Sequence, residues 1–182
     1  MKKIKLENQP FGPFPAALAG AMVEDKPNYV MAGAVGCVCL DPVLYVSLKS
    51  THYTTAGVKE NGYFSINIPS VDLLPQADFC GLVSGKDTDK SKLFHSFFDE
   101  AGNAPMIEEC PMNFLCKVFQ RVTVRGFDVF YGEIVAAYAT ESKMCANKPD
   151  VEKISPFIMI GAEYCSVDQV VGKAFSAGKS LL

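Results

Sequence analysis

The sequence predicts a mainly β domain, an antiparallel barrel or sandwich with a few short helices, and three observations lead there. Residues 114–125 alternate for much of their length, with Cys116, Val118, Val122 and Val124 set against Lys117, Gln120, Thr123 and Arg125. That period of two marks a half-buried strand. Residues 127–138 follow directly after Gly126 and read as its antiparallel partner. The first half of the chain is a series of short apolar runs broken by Pro, Gly and Asn. It lacks the regular strand–helix alternation that builds a parallel sheet.

The elements follow in order. Residues 14–22 are apolar and rich in small side chains, and Asp25-Lys26-Pro27-Asn28 signals a turn. Residues 29–40 form a second apolar run, punctuated by Asp41-Pro42, and residues 43–48 read as a strand. Ser50 or Thr51 is placed to cap a helix starting near His52, and Asn61-Gly62 to end it. Residues 63–68 are a strand ended by Pro69, and residues 71–82 a helix with Pro75 near its first turn. The polar stretch 86–103, with Phe94, Phe97 and Phe98, reads as a loop with a short helix. Residues 157–160 are a last short strand.

The chain of 182 residues, 49% hydrophobic and 20% charged, is sized for one domain over residues 1–182 with a sizeable core. A net charge of −3 and the absence of a basic stripe argue against a nucleic-acid partner. The longest apolar run, residues 30–40, falls far short of the roughly 20 residues a spanning helix needs, so no membrane role is expected. Gln9, Pro10 and Pro13 interrupt the place where a signal peptide would be apolar. Seven cysteines occur without a C-x-x-C pair, which fits small buried hydrophobes in a reducing cytoplasm better than a disulfide framework or a zinc site. On a strand, Cys37 and Cys39 would share one face. With only His52 and His95 available, neither a His-based metal centre nor a Ser-His-Asp triad has support. No G-x-G-x-x-G is present. The stretch 81–86 has one residue too few for a P-loop, and Asp87 stands where that motif needs Ser or Thr.

What remains is an anion-binding corner. Lys49-Ser50-Thr51-His52-Tyr53-Thr54-Thr55 lies where a strand passes into a helix. The first N–H groups of a helix have no internal partner, and its dipole favours an anion there. Hydroxyls of Ser50, Thr51 and Thr54 and the charge of Lys49 complete a phosphate seat, although an ordinary capped helix would show the same pattern. A second stretch, residues 84–90, brings Gly85 for close backbone approach and Lys86 and Lys90 for charge. An ordinary solvated loop would look the same.

The order of these features resembles the flavin reductase-like family of FMN-binding split-barrel proteins, and within it the flavoredoxins. The resemblance runs over roughly residues 13–165. It rests on Pro13-Phe14-Pro15, Asn28-Tyr29-Val30-Met31, the block from Asp41-Pro42 through residue 48, Tyr53-Thr54, residues 60–69, Ser84-Gly85 with Asp89-Lys90, Gly132-Glu133-Ile134, and Tyr164. It implies a mainly β, antiparallel Greek-key split barrel with a few short helices. It also implies non-covalent FMN, no metal, and a homodimer whose interface helps build the site.

By that resemblance Ser50, Thr51 and Thr54 hold the phosphate, with Lys49 and His52 beside it. Asn28 and Ala32, Gly33, Ala34 and Val35 lie along the isoalloxazine. Asn67, Ser84, Gly85 and Lys90 touch the flavin or its ribityl chain, and Tyr164 matches an aromatic position near the flavin. The flavin carries the redox chemistry, so no side chain is assigned as a catalyst. The activity implied is electron transfer from NADH, NADPH or another donor to a flavin, a metal or a redox protein partner. The alternative is an FMN-containing electron carrier or flavin-binding protein without nicotinamide turnover. Three positions depart from the pattern of many relatives: Ala34 where they carry Trp, His52 where they carry Arg, and Phe127 where they carry His. Phe127 is read either as core packing or as an altered flavin pocket, and the change bears on nicotinamide-dependent reduction more than on FMN binding.

Overall fold

The computed structural model describes residues 1–7, 12–39 and 41–181, the side chain of residue 180 excepted. Leu40, the end of the second apolar run, lies outside the described residues, as do Gln9 and Pro10. The elements are β1 (Pro13–Pro15), β2 (Ala17–Val23), β3 (Lys26–Ala32), β4 (Val35–Cys39), β5 (Val43–Lys49), α1 (Tyr53–Asn61), β6 (Tyr63–Ile68), α2 (Leu74–Leu82), β7 (Ser96–Asp99), β8 (Gly102–Ile107), β9 (Met112–Val124) and β10 (Phe127–Ala139). Then come β11 (Met144–Cys145), β12 (Lys148–Pro149), α3 (Val151–Ile154), β13 (Phe157–Ile160) and β14 (Glu163–Ser166).

Seven strands form one antiparallel sheet in the order β3-β2-β6-β9-β10-β5-β4. The edge strands β3 and β4 are consecutive in the chain, joined only through Gly33 and Ala34. The sheet therefore curls so that its two edge strands follow one another in the chain, and Ser47 N donates to Ala34 O at 2.8 Å, which extends the β4–β5 ladder back into that connection. This is the mainly β, split-barrel architecture expected from the sequence. Its interior is filled by Ala17, Ala19, Ala21, Val46, Phe64, Ile66 and Phe130, and Val58 of α1 closes one end. β2 is buried on both faces: its odd-numbered residues Ala17, Ala19 and Ala21 enter the barrel, while Leu18 enters a second core. That second core joins Tyr29, Ala77, Cys80, Phe94 and Phe157, so α2 and the segment after it cover the outer face of β2 and β3. Burial on both faces explains why β2 reads as a continuous apolar run with no alternation.

Several local expectations change. The β2–β3 turn is Glu24-Asp25, both with positive φ (49° and 60°), one step before the expected turn signal. This is the left-handed pair a two-residue hairpin requires. α1 is flanked by His52 and has no side-chain cap, so neither Ser50 nor Thr51 caps it; Gly62, at φ 70°, ends it as expected. Residues 71–82 are a short 3₁₀ turn followed by α2, with Pro75 in the first turn. The expected helix within residues 86–103 is absent. β7 begins there instead and pairs with β8, and its Phe97 stacks edge-on against Tyr138 with ring centroids 5.3 Å apart. Cys80, Cys110 and Cys116 are buried as read, whereas Cys37, Cys39 and Cys145 are exposed. A register shift falls between Cys37 and Cys39, which breaks the alternation that would put both on one face. Phe127 is exposed, so the core-packing reading fails: it starts β10 opposite Lys49 and Val124, beyond the packed part of the sheet.

Candidate functional site

α1 leaves β5 through a tight corner. His52 N donates to Lys49 O (2.9 Å), and the Thr55 hydroxyl donates to the same carbonyl (2.9 Å). With no acidic side chain in its first turn and no side-chain cap, the helix presents its first N–H groups outward. Below the corner, Asp128 is buried, forms an ion pair with Lys59 Nζ at 2.6 Å and accepts from the Thr123 hydroxyl at 2.6 Å. The Lys59 contact first, then Thr123, holds its carboxyl down at about 2. Nearby, the Ser50 Oγ is buried and has no hydrogen-bond partner among the described residues.

The first turn of α1 is tied to β3 through one bond. Asn28 Nδ2 donates to Thr54 Oγ1 at 2.7 Å, and both residues are buried. Gly85 packs against the other side of Asn28. A Cβ on Gly85 would collide with Asn28 Oδ1 and lie 2.6 Å from Tyr53 Cδ1, so only glycine lets this loop approach. Lys90 anchors the loop from beneath: its buried ammonium donates to Tyr29 O (3.0 Å) and Cys80 O (2.8 Å). Burial lowers its pKa, an effect the nearby Cys80 thiol opposes. Two of the three ammonium protons are thereby spent on backbone carbonyls.

Between these parts lies a cleft of about 280 Å³, lined by Asn28, Val30, Lys49, Thr51, His52, Tyr53, Thr54 and Lys90 together with residues 81–85. Eight of the fifteen residues singled out in the sequence therefore meet here: Asn28, Lys49, Thr51, His52, Thr54, Ser84, Gly85 and Lys90. The imidazole of His52 has a buried, unpartnered Nδ1, and burial followed by the charges of Lys49 and Lys90 lowers its pKa. A neutral imidazole, free helix N–H groups, the Thr51 hydroxyl and the Lys49 ammonium together suit an oxyanion.

The remaining seven residues stand elsewhere. Ser50 does not line the cleft, and its buried Oγ is unpartnered among the described residues. Ala32 and Val35 point into the barrel core, Gly33 is half-buried and Ala34 exposed, all farther along the β3–β4 connection. Asn67 is fully buried, and its amide is saturated. Nδ2 donates to Leu18 O and Ser65 Oγ, each at 3.0 Å, while Oδ1 accepts from Ile107 N (3.0 Å) and Asn113 Nδ2 (2.9 Å). It pins β2, β6, β8 and β9 together, with no capacity left for a ligand. Tyr164 donates to Asp78 at 2.7 Å and packs on Phe157, away from the cleft, and burial followed by Asp78 pushes its phenol up to about 12. Tyr53 was not singled out as a site residue, yet it lines the cleft; its place beside Thr54 in the first helical turn was the available signal. Among the described residues no cluster of three or more His, Cys, Asp or Glu side chains could hold a metal ion, and no helix is long and apolar enough to cross a membrane.

Comparisons with known proteins fit this arrangement. The family model described as "Flavin reductase like domain" matches residues 12–167. The structure of flavoredoxin from Methanosarcina acetivorans is similar over 100% of both chains, at 40% identity and a TM-score of 0.95. That of flavoredoxin from Desulfovibrio vulgaris (Miyazaki F) is similar over 98% of this chain and 100% of the other, at 34% identity and a TM-score of 0.90. An uncharacterized protein of Archaeoglobus fulgidus is 30% identical over 114 residues, which are 61% of this chain and 64% of that protein's length. With the model matched over most of its length, this chain belongs to the flavin reductase-like family.

Proposed function

We propose that the cleft holds FMN non-covalently and that the protein is an oxidoreductase of the flavin reductase/flavoredoxin type. The observation that carries this reading is the convergence of Thr51, His52 and Thr54 at the open end of α1 with Asn28, Gly85 and Lys90. Bound FMN would supply redox chemistry that no side chain of this site offers. In this reading the α1 N–H groups, the Thr51 hydroxyl and Lys49 bind the phosphate. Asn28 orients its surroundings through Thr54, and the Ser84–Gly85 backbone follows the ribityl chain. Gly33 and Ala34, at the end of β3, continue the same line toward the ring.

Electrons would enter from NADH, NADPH or another donor and leave to a flavin, a metal complex or a redox protein partner. Purified protein incubated with excess FMN is expected to retain it through gel filtration and quench its fluorescence. A colourless protein that leaves FMN fluorescence unchanged overturns the reading.

A second reading is favoured by Phe127 and His52, which stand where many relatives are expected to carry His and Arg. Here the protein is an FMN electron carrier without nicotinamide turnover. Anaerobic titration separates the two: bleaching within seconds by NADH or NADPH supports the reductase, and an unchanged flavin spectrum supports the carrier.

The assembly in this reading is a homodimer in the cytoplasm. Its support is the resemblance together with exposed Phe119, Val122, Val124 and Phe127 on the β9–β10 hairpin, whose Phe127 faces Lys49 across the sheet.

A further inference from the structure

Two exposed thiols stand outside the cleft, Cys37 and Cys39 on β4, the edge strand of the seven-stranded sheet. On a regular strand, residues two apart are separated by about 6.7 Å. That lies at the far limit of what a disulfide spans. β4 is not regular there. Its ladder pairs Cys37 with Leu44 and Cys39 with Val43, so two steps along β4 match one step along β5. Val38 is the extra residue, 48% exposed, and such a bulge bends the strand and shortens the path across it. The Cys37 thiol already crosses Val38: its Sγ donates to Cys39 O at 2.9 Å. The Cys39 thiol donates only a long contact to Asp41 O, at 3.6 Å.

The other cysteines differ. Burial pushes the thiols of Cys80, Cys110 and Cys116 up, which keeps them protonated and inert. Cys145 stands opposite Lys148 and Cys165 opposite Ile158, so neither meets a cysteine across its ladder. A metal ion at Cys37 and Cys39 would find no third protein ligand, since no cluster of three His, Cys, Asp or Glu side chains exists among the described residues. A disulfide needs only two.

We propose that Cys37 and Cys39 form a redox-active dithiol that closes to a disulfide within β4 by exchange with an external disulfide. One thiolate attacks a sulfur of that disulfide, and half of it leaves as a thiolate. The second cysteine attacks the mixed disulfide, and the other half leaves. The pair loses two electrons and the external disulfide gains them. The two thiol protons end on the two thiols released. This site is independent of the flavin reading of the cleft.

The test uses oxidised glutathione as the external disulfide, on the purified, fully reduced protein and on Cys37→Ser and Cys39→Ser. Both positions are exposed, so neither variant disturbs the core. The parent is expected to lose two titratable thiols and the mass of two hydrogens, with residues 37 and 39 linked in one proteolytic fragment. Reduced glutathione is expected to restore both thiols, as an exposed bond across a short loop is readily reduced. Each single variant is expected to keep glutathione on its remaining cysteine, because the second step has lost its nucleophile. A parent that stays reduced, or that retains glutathione without closing, overturns the proposal. So does a bond to any other cysteine or between chains, or two variants that both fail to take up glutathione.

Discussion

Asn28 and Thr54 are joined by a buried 2.7 Å hydrogen bond that ties the strand β3 to the first turn of α1. The donor is an amide whose other side is pressed by Gly85, so one side chain sets the spacing of strand, helix and loop at the cleft. Thr54→Ala leaves the Asn28 amide without its acceptor. An unmet buried donor costs roughly 1–3 kcal/mol. The variant is expected to lose that much stability in urea unfolding, and FMN affinity about tenfold, because the helix N-terminus loses its tether. Thr54→Ser restores the hydroxyl and should recover both. If Thr54→Ala binds FMN with unchanged affinity, Asn28–Thr54 does not position the seat.

His52 faces the same corner with an unpartnered, buried Nδ1, and burial and then Lys49 and Lys90 oppose its protonation. Its titration midpoint without ligand is therefore expected below the ordinary 6.5. The folded chain resists the proton that the unfolded chain accepts, so this group removes stability as pH falls through that ordinary value. NMR can read it directly, since the chain has only two histidines and His52→Gln assigns the signal. Added inorganic phosphate, a negative charge in the seat, should move the midpoint up. A midpoint at or above 6.5 without ligand would contradict the buried geometry.

Asp128 supports the corner from below and makes acid stability its readout. Lys59 and Thr123 hold its carboxyl at about 2, against an ordinary value of 3.8. Its contribution is present above the ordinary value and is lost as pH falls from there toward about 2, where the unfolded state binds the proton first. Thermal melts between pH 7 and pH 2 should show Asp128→Asn less stable at neutrality and equal to the parent at the acid end. Equal melting of both proteins at neutrality would remove Asp128 as a tie between α1 and the β9–β10 hairpin.

These residues also show what could be read before the structure. The β9–β10 hairpin was legible from its apolar–polar alternation, although the half-buried reading holds only as far as Val118 and residues 119–124 are exposed on both faces; α1 was legible because Gly62 ends it with φ 70°. Seven of the eight clustered site residues were legible because they sit at the strand–helix corner or on the Gly85 loop, local features that sequence order exposes, while Asn28, on β3, came from the family resemblance. Asn67 was placed at the flavin by the family resemblance alone, and in the structure long-range partners on β2, β8 and β9 consume its amide. No local pattern encodes those partners. The β7–β8 hairpin was missed for a related reason, since Phe97 is held by Tyr138, some forty residues away. Ser50 carried the right chemistry for the seat, but it does not line the cleft and its Oγ is buried without a hydrogen-bond partner among the described residues.

The β9–β10 hairpin poses the last question. β9 pairs with β6 only as far as Lys117, and past that point its outer edge has no strand partner among the described residues. There Phe119 is 60% exposed, Val124 51% and Phe127 45%. Such a cluster on a projecting hairpin is costly in water and marks a contact surface. Phe127 lies opposite Lys49, which lines the cleft, so a second copy docked here would stand beside the site. Phe127→Glu puts a charge into that contact without touching the core. Sedimentation velocity is expected to show the parent as a dimer and the variant as a monomer. FMN affinity should fall with the dimer if the partner completes the site, and stay constant if it does not. A variant that remains dimeric removes this hairpin as the interface.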